Sequence, residues 1–267
     1  MTLTPSSIWT DITRIRETSP LVHSITNYVV MNTTANALLA LGASPIMAHA
    51  GQEMDEIVNI ADALVINIGT LSDPWIKSMF RAAEKAKELN IPIILDPVGA
   101  GATGYRTRTV RDLIKAVPPT IIRGNASEIM AISGGEARTK GVESTDLSEA
   151  AVDNAQQLIS KTGSVICISG EIDYILGGDD IIKVKNGHSL MTRVTGMGCT
   201  ATALCGAFAA VNDQFQVAAA NAMTVMGITG EIAAEISHGT GSMQMNFLDT
   251  LYKLSKENMN RFNVMEE

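Results

Sequence analysis

The sequence predicts an α/β fold: a mostly parallel central sheet flanked by helices on both faces, with an antiparallel edge hairpin. Continuous apolar segments at residues 63–69, 91–99 and 164–170 predict strands that are buried on both faces. Helical patterns separate these segments, as they do in repeated strand–helix–strand units. Residues 174–187 differ, because two short strands flank a Gly/Asp turn, which is typical of a hairpin.

The remaining elements follow from hydrophobic spacing and from the residues that begin and end helices. Helices are expected at residues 8–16, 28–41, 53–60, 74–89, 107–117, 127–130, 146–162, 199–211, 216–237 and 245–259. Further strands are expected at residues 21–27, 44–48 and 120–125, and a polar loop at 134–144. Only helices are expected after residue 199. We find no repeat and no linker, so the pattern favours one domain over residues 1–267.

Composition and charge disfavour several classes of function. The chain has 267 residues, of which 46% are hydrophobic and only 4% aromatic, so aliphatic side chains and methionines such as those at 223, 226, 243 and 245 must fill the core. A net charge of −8 without a basic cluster disfavours a nucleic-acid partner. Three cysteines without metal-ligand spacing are typical of reduced thiols. We expect a cytoplasmic protein without a signal peptide or membrane span.

One turn is the main candidate for a functional site: residues 195–199, Thr-Gly-Met-Gly-Cys, which we call the glycine turn. Its two glycines let the backbone approach a ligand closely, and the small apolar residues after it predict a buried helix. The unpaired N–H groups and the dipole of that helix favour a phosphate. Cys199 lies at the helix start, where the pKa of a thiol tends to fall. The alternative is a tight strand-to-helix connection with a buried cysteine.

Polar side chains follow most of the predicted strands. In open parallel sheets, ligands bind beyond the carboxyl ends of the strands, so these residues are candidates for one site. They are Asn27, Met47, His49, Asn67, Asp96, Arg123, Asn125, Ser169 and Glu171. We therefore expect the amides of the glycine turn to face the same pocket as the carboxylates of Asp96 and Glu128.

Asp96 precedes a Gly-x-Gly-x-x-Gly pattern at residues 99–104, which by itself suggests a dinucleotide-binding loop. We disfavour that interpretation, because a carboxylate and a proline directly before the loop would repel or displace a pyrophosphate. The next strand also lacks the acid that binds a ribose. Asp96 is better interpreted as a holder of a metal ion or water near phosphates. The alternative is a turn or N-cap carboxylate.

Asn125 and Glu128 have the spacing of a helix capping box. A carboxylate in the first turn of that helix can also hold Mg²⁺, directly or through water. Arg123 has the planar side chain that suits phosphate oxygens, and its alternative is a salt bridge to Glu128. The four histidines share no spacing, so we assign them no metal site.

Several short motifs taken together resemble one known family. They are residues 46–48 (Ile-Met-Ala), 95–100 (Leu-Asp-Pro-Val-Gly-Ala), 123–128 (Arg-Gly-Asn-Ala-Ser-Glu), 195–199 (Thr-Gly-Met-Gly-Cys) and 241–244 (Gly-Ser-Met-Gln). With these motifs in this order, the sequence is similar to the hydroxyethylthiazole kinase family of thiamine salvage, within the ribokinase-like superfamily. The resemblance runs from about Asn27 to the C-terminal helix.

This resemblance implies transfer of a phosphoryl group from ATP to 5-(2-hydroxyethyl)-4-methylthiazole, with Mg²⁺, in a homotrimer whose sites lie at subunit interfaces. It implies thiazole contacts at Met47 and Gly196, with Asn27 nearby. It implies ATP contacts at Arg123 and Ser169, to which we add Asn125. It implies Asp96 and Glu128 near Mg²⁺ and the phosphates. The transfer itself is expected at Gly196, Met197, Gly198 and Cys199.

The chain departs from the wider superfamily at Cys199, where most ribokinase-like enzymes carry an aspartate as general base. Cysteine is usual in the thiazole kinase branch. Phosphoryl transfer depends mainly on positioning and charge stabilisation, so a weak base can suffice. We expect Cys199 either to accept the hydroxyl proton or only to orient the hydroxyl.

Three other functions fit parts of the pattern. The first is a kinase for a pyrimidine or another small alcohol. The second is an ATP-dependent dehydratase of the same fold, although that branch usually has aspartate in the glycine turn. The third is a sensor that binds ATP without turnover, because a fold does not by itself fix a function.

Overall fold

The computed structural model describes residues 3–134, 150–178 and 180–266. The expected polar loop, from residue 135 onward, and the expected helix start at residues 146–149 lie outside the described residues.

All strands of these ranges belong to one sheet, in the order β2-β1-β3-β4-β5-β6-β7-β8-β9. The strands are β1 (Leu21–Ile25), β2 (Ser44–Ile46), β3 (Ala63–Asn67), β4 (Ile93–Asp96), β5 (Ile121–Asn125), β6 (Val165–Ser169), β7 (Asp173–Gly177), β8 (Asp180–Val184) and β9 (Val264–Glu266). Neighbours from β2 to β6 run parallel, whereas β7, β8 and β9 are each antiparallel to their neighbours. The predicted mostly parallel sheet with an antiparallel edge is therefore confirmed.

Helices cover both faces of the sheet, as the sequence predicts. One layer contains Pro5–Thr18, Met31–Leu41, Met197–Ala209, Phe215–Glu235 and Thr240–Lys253. The other contains Met54–Ile60, Asp73–Glu88, Gly104–Ala116, Ala126–Ser133 and Val152–Thr162. Strand side chains alternate between the two cores: Val65 faces the first layer, and Leu64 and Ile66 face the second. All five residues of β3 are buried, as expected for a central parallel strand.

The expectation of only helices after the glycine turn is wrong. Residues Val264–Glu266 form β9, which pairs with β8 through Val184↔Val264 and places the predicted hairpin one strand in from the edge. A strand of three residues is too short for alternation to reveal it. Its pairing covers backbone groups of β8 that would otherwise be exposed at the sheet edge.

Some boundaries differ from the expected ones for local reasons. The second helix begins at Met31 rather than at residue 28, because the preceding residues form a turn in which the Val30 amide donates to the Asn27 carbonyl. The last long helix begins at Thr240, where the Ser242 hydroxyl accepts from the Gly239 amide at 3.1 Å. It ends at Lys253, and a short 3₁₀ helix, Lys256–Arg261, follows it.

The helix Phe215–Glu235 is the one helix of the described residues that is long and apolar enough to cross a membrane. In this protein 78% of the most apolar 18-residue stretch of that helix is buried among other elements. Small residues such as Ala222 and Gly227 allow its close packing, and its apolar character is that of a core helix.

The helix after the glycine turn packs so closely on the sheet that Gly206 has no room for a side chain. A Cβ there would lie 2.7 Å from Val65 Cγ2 and 3.3 Å from Val22 Cγ1. We predict that Gly206→Ala lowers the free energy of unfolding by about 1–2 kcal/mol, because overpacking outweighs the gain of about 1 kcal/mol in helix propensity. Urea unfolding measures this change.

Gly241→Ala is the matched control, since Gly241 is also helical but has no heavy atom within 4 Å of the position of its Cβ. It should leave stability unchanged or raise it slightly. Equal effects of the two substitutions would contradict the proposed close packing at Gly206.

Candidate active site

The glycine turn begins the helix Met197–Ala209 above the carboxyl ends of the parallel strands. Gly196 is the N-cap and has φ +87°, in the left-handed region that favours glycine. A Cβ at Gly196 would also lie 2.8 Å from Val30 Cγ1, so this position has two separate reasons to be glycine. The carbonyl of Gly196 accepts from the Thr200 amide at 2.8 Å, whereas the first amides of the helix have no partner within it.

Arg123, on β5, lies directly beneath this turn. A Cβ at Gly198 would lie 2.8 Å from Arg123 Nη1, so the second glycine makes room for the guanidinium. The Arg123 side chain is only 9% exposed, and its Nε has no hydrogen-bond partner among the described residues. Burial acts to lower the pKa of Arg123, but the nearby carboxyls of Asp96 and Asp173 raise it overall. A buried cation thus lies beside free amides, an arrangement that suits an anion.

Five side chains form a closed structure that we call the hydrogen-bonded ring: Cys199, Asn27, Asn67, Asp96 and Thr202. Asn27 Nδ2 donates to Cys199 Sγ at 3.5 Å and to Asn67 Oδ1 at 2.8 Å. Asn67 Nδ2 and Thr202 Oγ1 donate to the same oxygen of Asp96, Oδ2, at 2.9 and 2.8 Å. The ring closes because Cys199 and Thr202 lie one turn apart on one helix.

The strand order explains why these residues meet. The strands β1, β3 and β4 are neighbours in the sheet, and Asn67 pairs in register with Asp96. Asn27 follows the end of β1 by two residues. Two side-chain amides and one carboxyl group therefore lie together at the carboxyl ends of three neighbouring parallel strands, where the sequence predicts ligand-binding positions.

Asp96 is 1% exposed, and its surroundings change its acidity. Burial raises the pKa of Asp96 to about 6, and the charge of Glu128 acts in the same direction. The Arg123 charge and the hydrogen bonds from Thr202 and Asn67 lower the pKa and limit the rise. At neutral pH these neighbours support a carboxylate beneath the helix start.

The expectation that the pKa of Cys199 falls is wrong. Burial raises the pKa of the Cys199 thiol above its ordinary value, and the Asp96 charge adds to the rise. The hydrogen bond from Asn27 acts in the opposite direction but does not compensate. The helix start favours a thiolate, yet removal from water has the larger effect here. At neutral pH the group is therefore a thiol.

The predicted capping box is present at the start of the helix Ala126–Ser133. Asn125 Oδ1 accepts from the Glu128 amide at 2.9 Å, and Glu128 Oε2 accepts from the Asn125 amide at 2.9 Å. Glu128 Oε1 also accepts from the Gly99 amide at 2.8 Å, which ties the helix to the loop after Asp96. The carboxylate of Glu128 thus binds backbone amides of two segments, rather than forming the salt bridge to Arg123 that we considered as an alternative.

A cavity of about 830 Å³ opens beside the glycine turn. Arg123, Ser169, Asp173, Met197 and Gly198 form one part of its wall. The hydroxyl of Ser169 lies 3.4 Å from the Gly124 carbonyl. The volume is in the range of sites for ligands the size of a nucleotide.

The rest of the cavity wall contains His188, Met191, Met223, Met226 and Gly227. Met223, Met226 and Met243 are buried, as expected for core residues, and the first two also border this cavity. The same expectation is wrong for Met245, which is 60% exposed.

The structure does not bring every predicted residue to this cavity. Met47 falls outside β2, is half-buried and packs against the core layer that contains the glycine-turn helix. Gly196 borders a separate small pocket of about 10 Å³, which it shares with Met197 and Phe247. Asn27 and Asp96 lie in the hydrogen-bonded ring beneath the turn, and Met197 borders both pockets.

Sequence reasoning missed two residues that complete the site, Thr202 and Asp173, and it named Asn67 without predicting its bridging role. Thr202 is one of two threonines in a largely apolar helix and lies three positions after Cys199, so its spacing was a usable signal. Asn67 was visible only as a polar strand end. Asp173 gave no local signal, because it begins a strand and its environment depends on Arg123 from another strand.

Comparisons with known proteins agree on one family. The family model described as the hydroxyethylthiazole kinase family matches residues 12–257. A hydroxyethylthiazole kinase of Syntrophus aciditrophicus is 62% identical over 262 residues, which cover 98% of this chain and 97% of the relative. A hydroxyethylthiazole kinase of Leptospira biflexa is 57% identical over 248 residues, which cover 92% of each chain.

Solved structures extend the agreement to the fold. The structure of a hydroxyethylthiazole kinase protein from Pyrococcus horikoshii superposes with a TM-score of 0.90 at 41% identity, and the match covers 98% of this chain and 99% of that one. A pyridoxal kinase from Staphylococcus aureus, in complex with AMP-PCP and pyridoxal, has a TM-score of 0.63 at 14% identity, covering 93% of this chain and 98% of that one. At that identity the second match shows a shared fold alone.

Asp173 gives the site a testable pH dependence. Burial raises its pKa from 3.8 to about 7, although Asp173 Oδ1 accepts from the Gly170 amide at 3.0 Å. Because the folded pKa exceeds the unfolded one, the stability that this group contributes is fully present below pH 4 and is lost as pH rises through about 7. Asparagine keeps the acceptor oxygen and stays neutral. We predict that the unfolding free energy of Asp173→Asn, relative to the native protein, rises between pH 5 and pH 8 by on the order of 2 kcal/mol.

Thermal or urea unfolding at both pH values measures this difference, with Asp249→Asn as the control at an exposed position. A difference between Asp173→Asn and the native protein that is the same at pH 5 and pH 8 would contradict the raised pKa.

Proposed function

The chain belongs to the hydroxyethylthiazole kinase family, and from this membership we propose how its residues transfer a phosphoryl group from ATP to the hydroxyl of hydroxyethylthiazole. The activity itself, and its place in thiamine salvage, follow from the family. The observation that supports our assignment of residues is the position of Arg123 and the hydrogen-bonded ring beneath the free amides of the glycine turn.

ATP occupies the cavity of about 830 Å³ in this proposal, with its phosphates toward Arg123, Ser169 and the glycine turn. Arg123 is buried and keeps its charge, so an arriving phosphate meets a desolvated cation. The adenine base of ATP lies toward the part of the cavity that methionines line, because their flexible, polarisable side chains suit a flat apolar ring. Asn186 also borders the cavity, but its side chain already has partners. Its Nδ2 donates to Glu231 and to the Arg261 carbonyl, and its Oδ1 accepts from the Asn263 amide, so we assign it no contact with ATP.

The amides of Met197, Gly198 and Cys199 donate to the phosphoryl group during transfer. They are fixed before the substrate arrives, because the ring holds the first helical turn to three strand ends. Donors that need no rearrangement stabilise charge as it develops in the transition state.

Asp96 and Glu128 are the residues that would hold Mg²⁺, together with water and phosphate oxygens. The donor set fits this ion, which usually takes one or two carboxylates and keeps several waters. Both side-chain hydrogen bonds to Asp96 end on Oδ2, so Oδ1 would be available to an ion. When bound, the ion neutralises charge on the phosphates.

Cys199 orients the substrate hydroxyl in this mechanism. Its raised pKa means that a thiolate is scarce at neutral pH, and Sγ already accepts a hydrogen bond from Asn27. The thiol can therefore direct its own hydrogen toward the substrate. Because the transition state of phosphoryl transfer is loose, little proton removal is needed before the phosphoryl group moves.

The thiazole binds beside Gly196, Asn27 and Met47, in a site that a second subunit completes. The pocket at Gly196, of about 10 Å³, holds little more than a water molecule and cannot enclose a thiazole ring. Tyr28 and Val29, next to Val30 and the glycine turn, are 66% and 63% exposed and offer an apolar surface to a partner. We infer a homotrimer with sites at its interfaces, in the cytoplasm, where three free thiols stay reduced.

We predict that the purified protein, given ATP, Mg²⁺ and hydroxyethylthiazole, forms the thiazole phosphate in equimolar amounts with ADP. Mass spectrometry identifies the product, and a panel of small alcohols, including hydroxymethyl pyrimidines, tests selectivity. ADP release without alcohol dependence, or faster turnover of another alcohol, would contradict this function.

We predict that Cys199→Ala lowers kcat by up to about 100-fold, because the hydroxyl loses the group that orients it. Cys199→Asp should keep activity, since its oxygen accepts the same hydrogen bond from Asn27 and related kinases use aspartate here. Steady-state kinetics on folded variants measure both. An inactive but folded Asp variant would argue against placing the hydroxyl beside residue 199.

A further inference from the structure

We propose that Asn67 is a positioning residue of the phosphoryl transfer, which holds the acceptor side and the donor side of the site in fixed register. The acceptor side is the pair Asn27 and Cys199, and the donor side is Asp96. This inference rests on the proposed function, and it assigns a role to a side chain that touches neither substrate.

The side chain of Asn67 is buried and hydrogen-bonded at both ends. It is 2% exposed at the end of a fully buried strand. Its Oδ1 accepts from Asn27 Nδ2 at 2.8 Å and from the Gly69 amide at 2.9 Å, and its Nδ2 donates to Asp96 Oδ2 at 2.9 Å. A buried amide with both ends bonded has one orientation, because a flip would place the Asn67 nitrogen against the donor of Asn27 and the Asn67 oxygen against the Asp96 carboxylate.

On the acceptor side, Asn67 fixes the orientation of Asn27. The two hydrogens of Asn27 Nδ2 go to Asn67 Oδ1 and Cys199 Sγ, and its Oδ1 accepts from the Val29 amide at 3.1 Å. Without the Asn67 oxygen, Asn27 has a free donor and can rotate away from Cys199. Cys199 and the loop that carries Val29, both beside the proposed thiazole site, then lose the hydrogen bonds that Asn27 makes to each of them.

On the donor side, Asn67 is one of two donors to Asp96 Oδ2, and the other is Thr202. The two donors differ in one respect. Thr202 otherwise bonds only its own helix, at the Gly198 carbonyl, whereas Asn67 continues to Asn27. Removing either one takes a hydrogen bond from Asp96, but only the loss of Asn67 also releases the acceptor side.

This difference supplies a matched pair of variants. Asn67→Leu should lower kcat by about 10–100-fold and raise KM for hydroxyethylthiazole several-fold, since small misplacements of reacting groups have effects of this size. Thr202→Val should lower kcat while leaving KM for hydroxyethylthiazole within about twofold of the native value, because the acceptor side stays assembled. Thermal unfolding of each variant tests whether it is folded.

Two further variants separate positioning from a general loss of structure. The effects of Asn27→Ala and Asn67→Leu on kcat/KM should be non-additive, since the two side chains act as one unit. Asn67→Asp keeps the oxygen that Asn27 and Gly69 need, but it places a second buried carboxyl group beside Asp96 Oδ2. Two such groups do not both ionise, so the pair shares a proton and Asp96 loses part of its negative charge. This variant should therefore keep KM for hydroxyethylthiazole and lose kcat, and it decides the question if Asn67→Leu does not fold.

The proposal is overturned if folded Asn67→Leu has the native KM for hydroxyethylthiazole, if its effect multiplies with that of Asn27→Ala, or if Asn67→Asp keeps the native kcat. Failure of the proposed function gives a different result, because the native protein itself would then form no thiazole phosphate.

Discussion

The structure depends on the pairing of buried polar side chains at one edge of the sheet. Asn27, Asn67 and Asp96 lie at the ends of three neighbouring strands, where each would be costly to bury alone. Their hydrogen bonds to one another, and to two residues of the glycine-turn helix, satisfy them and fix that helix over the sheet. The hydrogen bonds that hold this part of the fold together also shape the candidate site, so in the proposed mechanism stability and catalysis depend on the same atoms.

The buried charge of Arg123 is the second feature on which the candidate site depends. Arg123 is buried between the carboxyls of Asp96 and Asp173, and its charge lowers the pKa of both. Its Nε nevertheless lacks a hydrogen-bond partner in the described chain, and amides of the glycine turn lie beside it. An entering phosphate would supply acceptors to groups that are already desolvated and oriented. Little reorganisation would then accompany binding.

The sequence predicted the layers, the parallel strands and the glycine turn, because hydrophobic period and glycine positions are local signals. It did not predict β9, since three residues carry too little pattern. It also gave the wrong direction for the pKa of Cys199, because the helix start is a local feature while burial depends on the whole fold. The ring was beyond sequence reasoning for a related reason. Its members become neighbours only through strand order, and Asn27 and Cys199 are 172 positions apart.

The large distance in sequence between the residues of the ring affects how the chain folds. Contacts between distant parts of a chain form late, since the intervening segments must first lose their freedom. The bond from Thr202 to Asp96 spans 106 positions, so the helix Met197–Ala209 must dock on the sheet before it closes. A chain in which this helix has not yet docked therefore lacks the arrangement that we propose for binding phosphate. In our proposal, nucleotide turnover begins only after that docking.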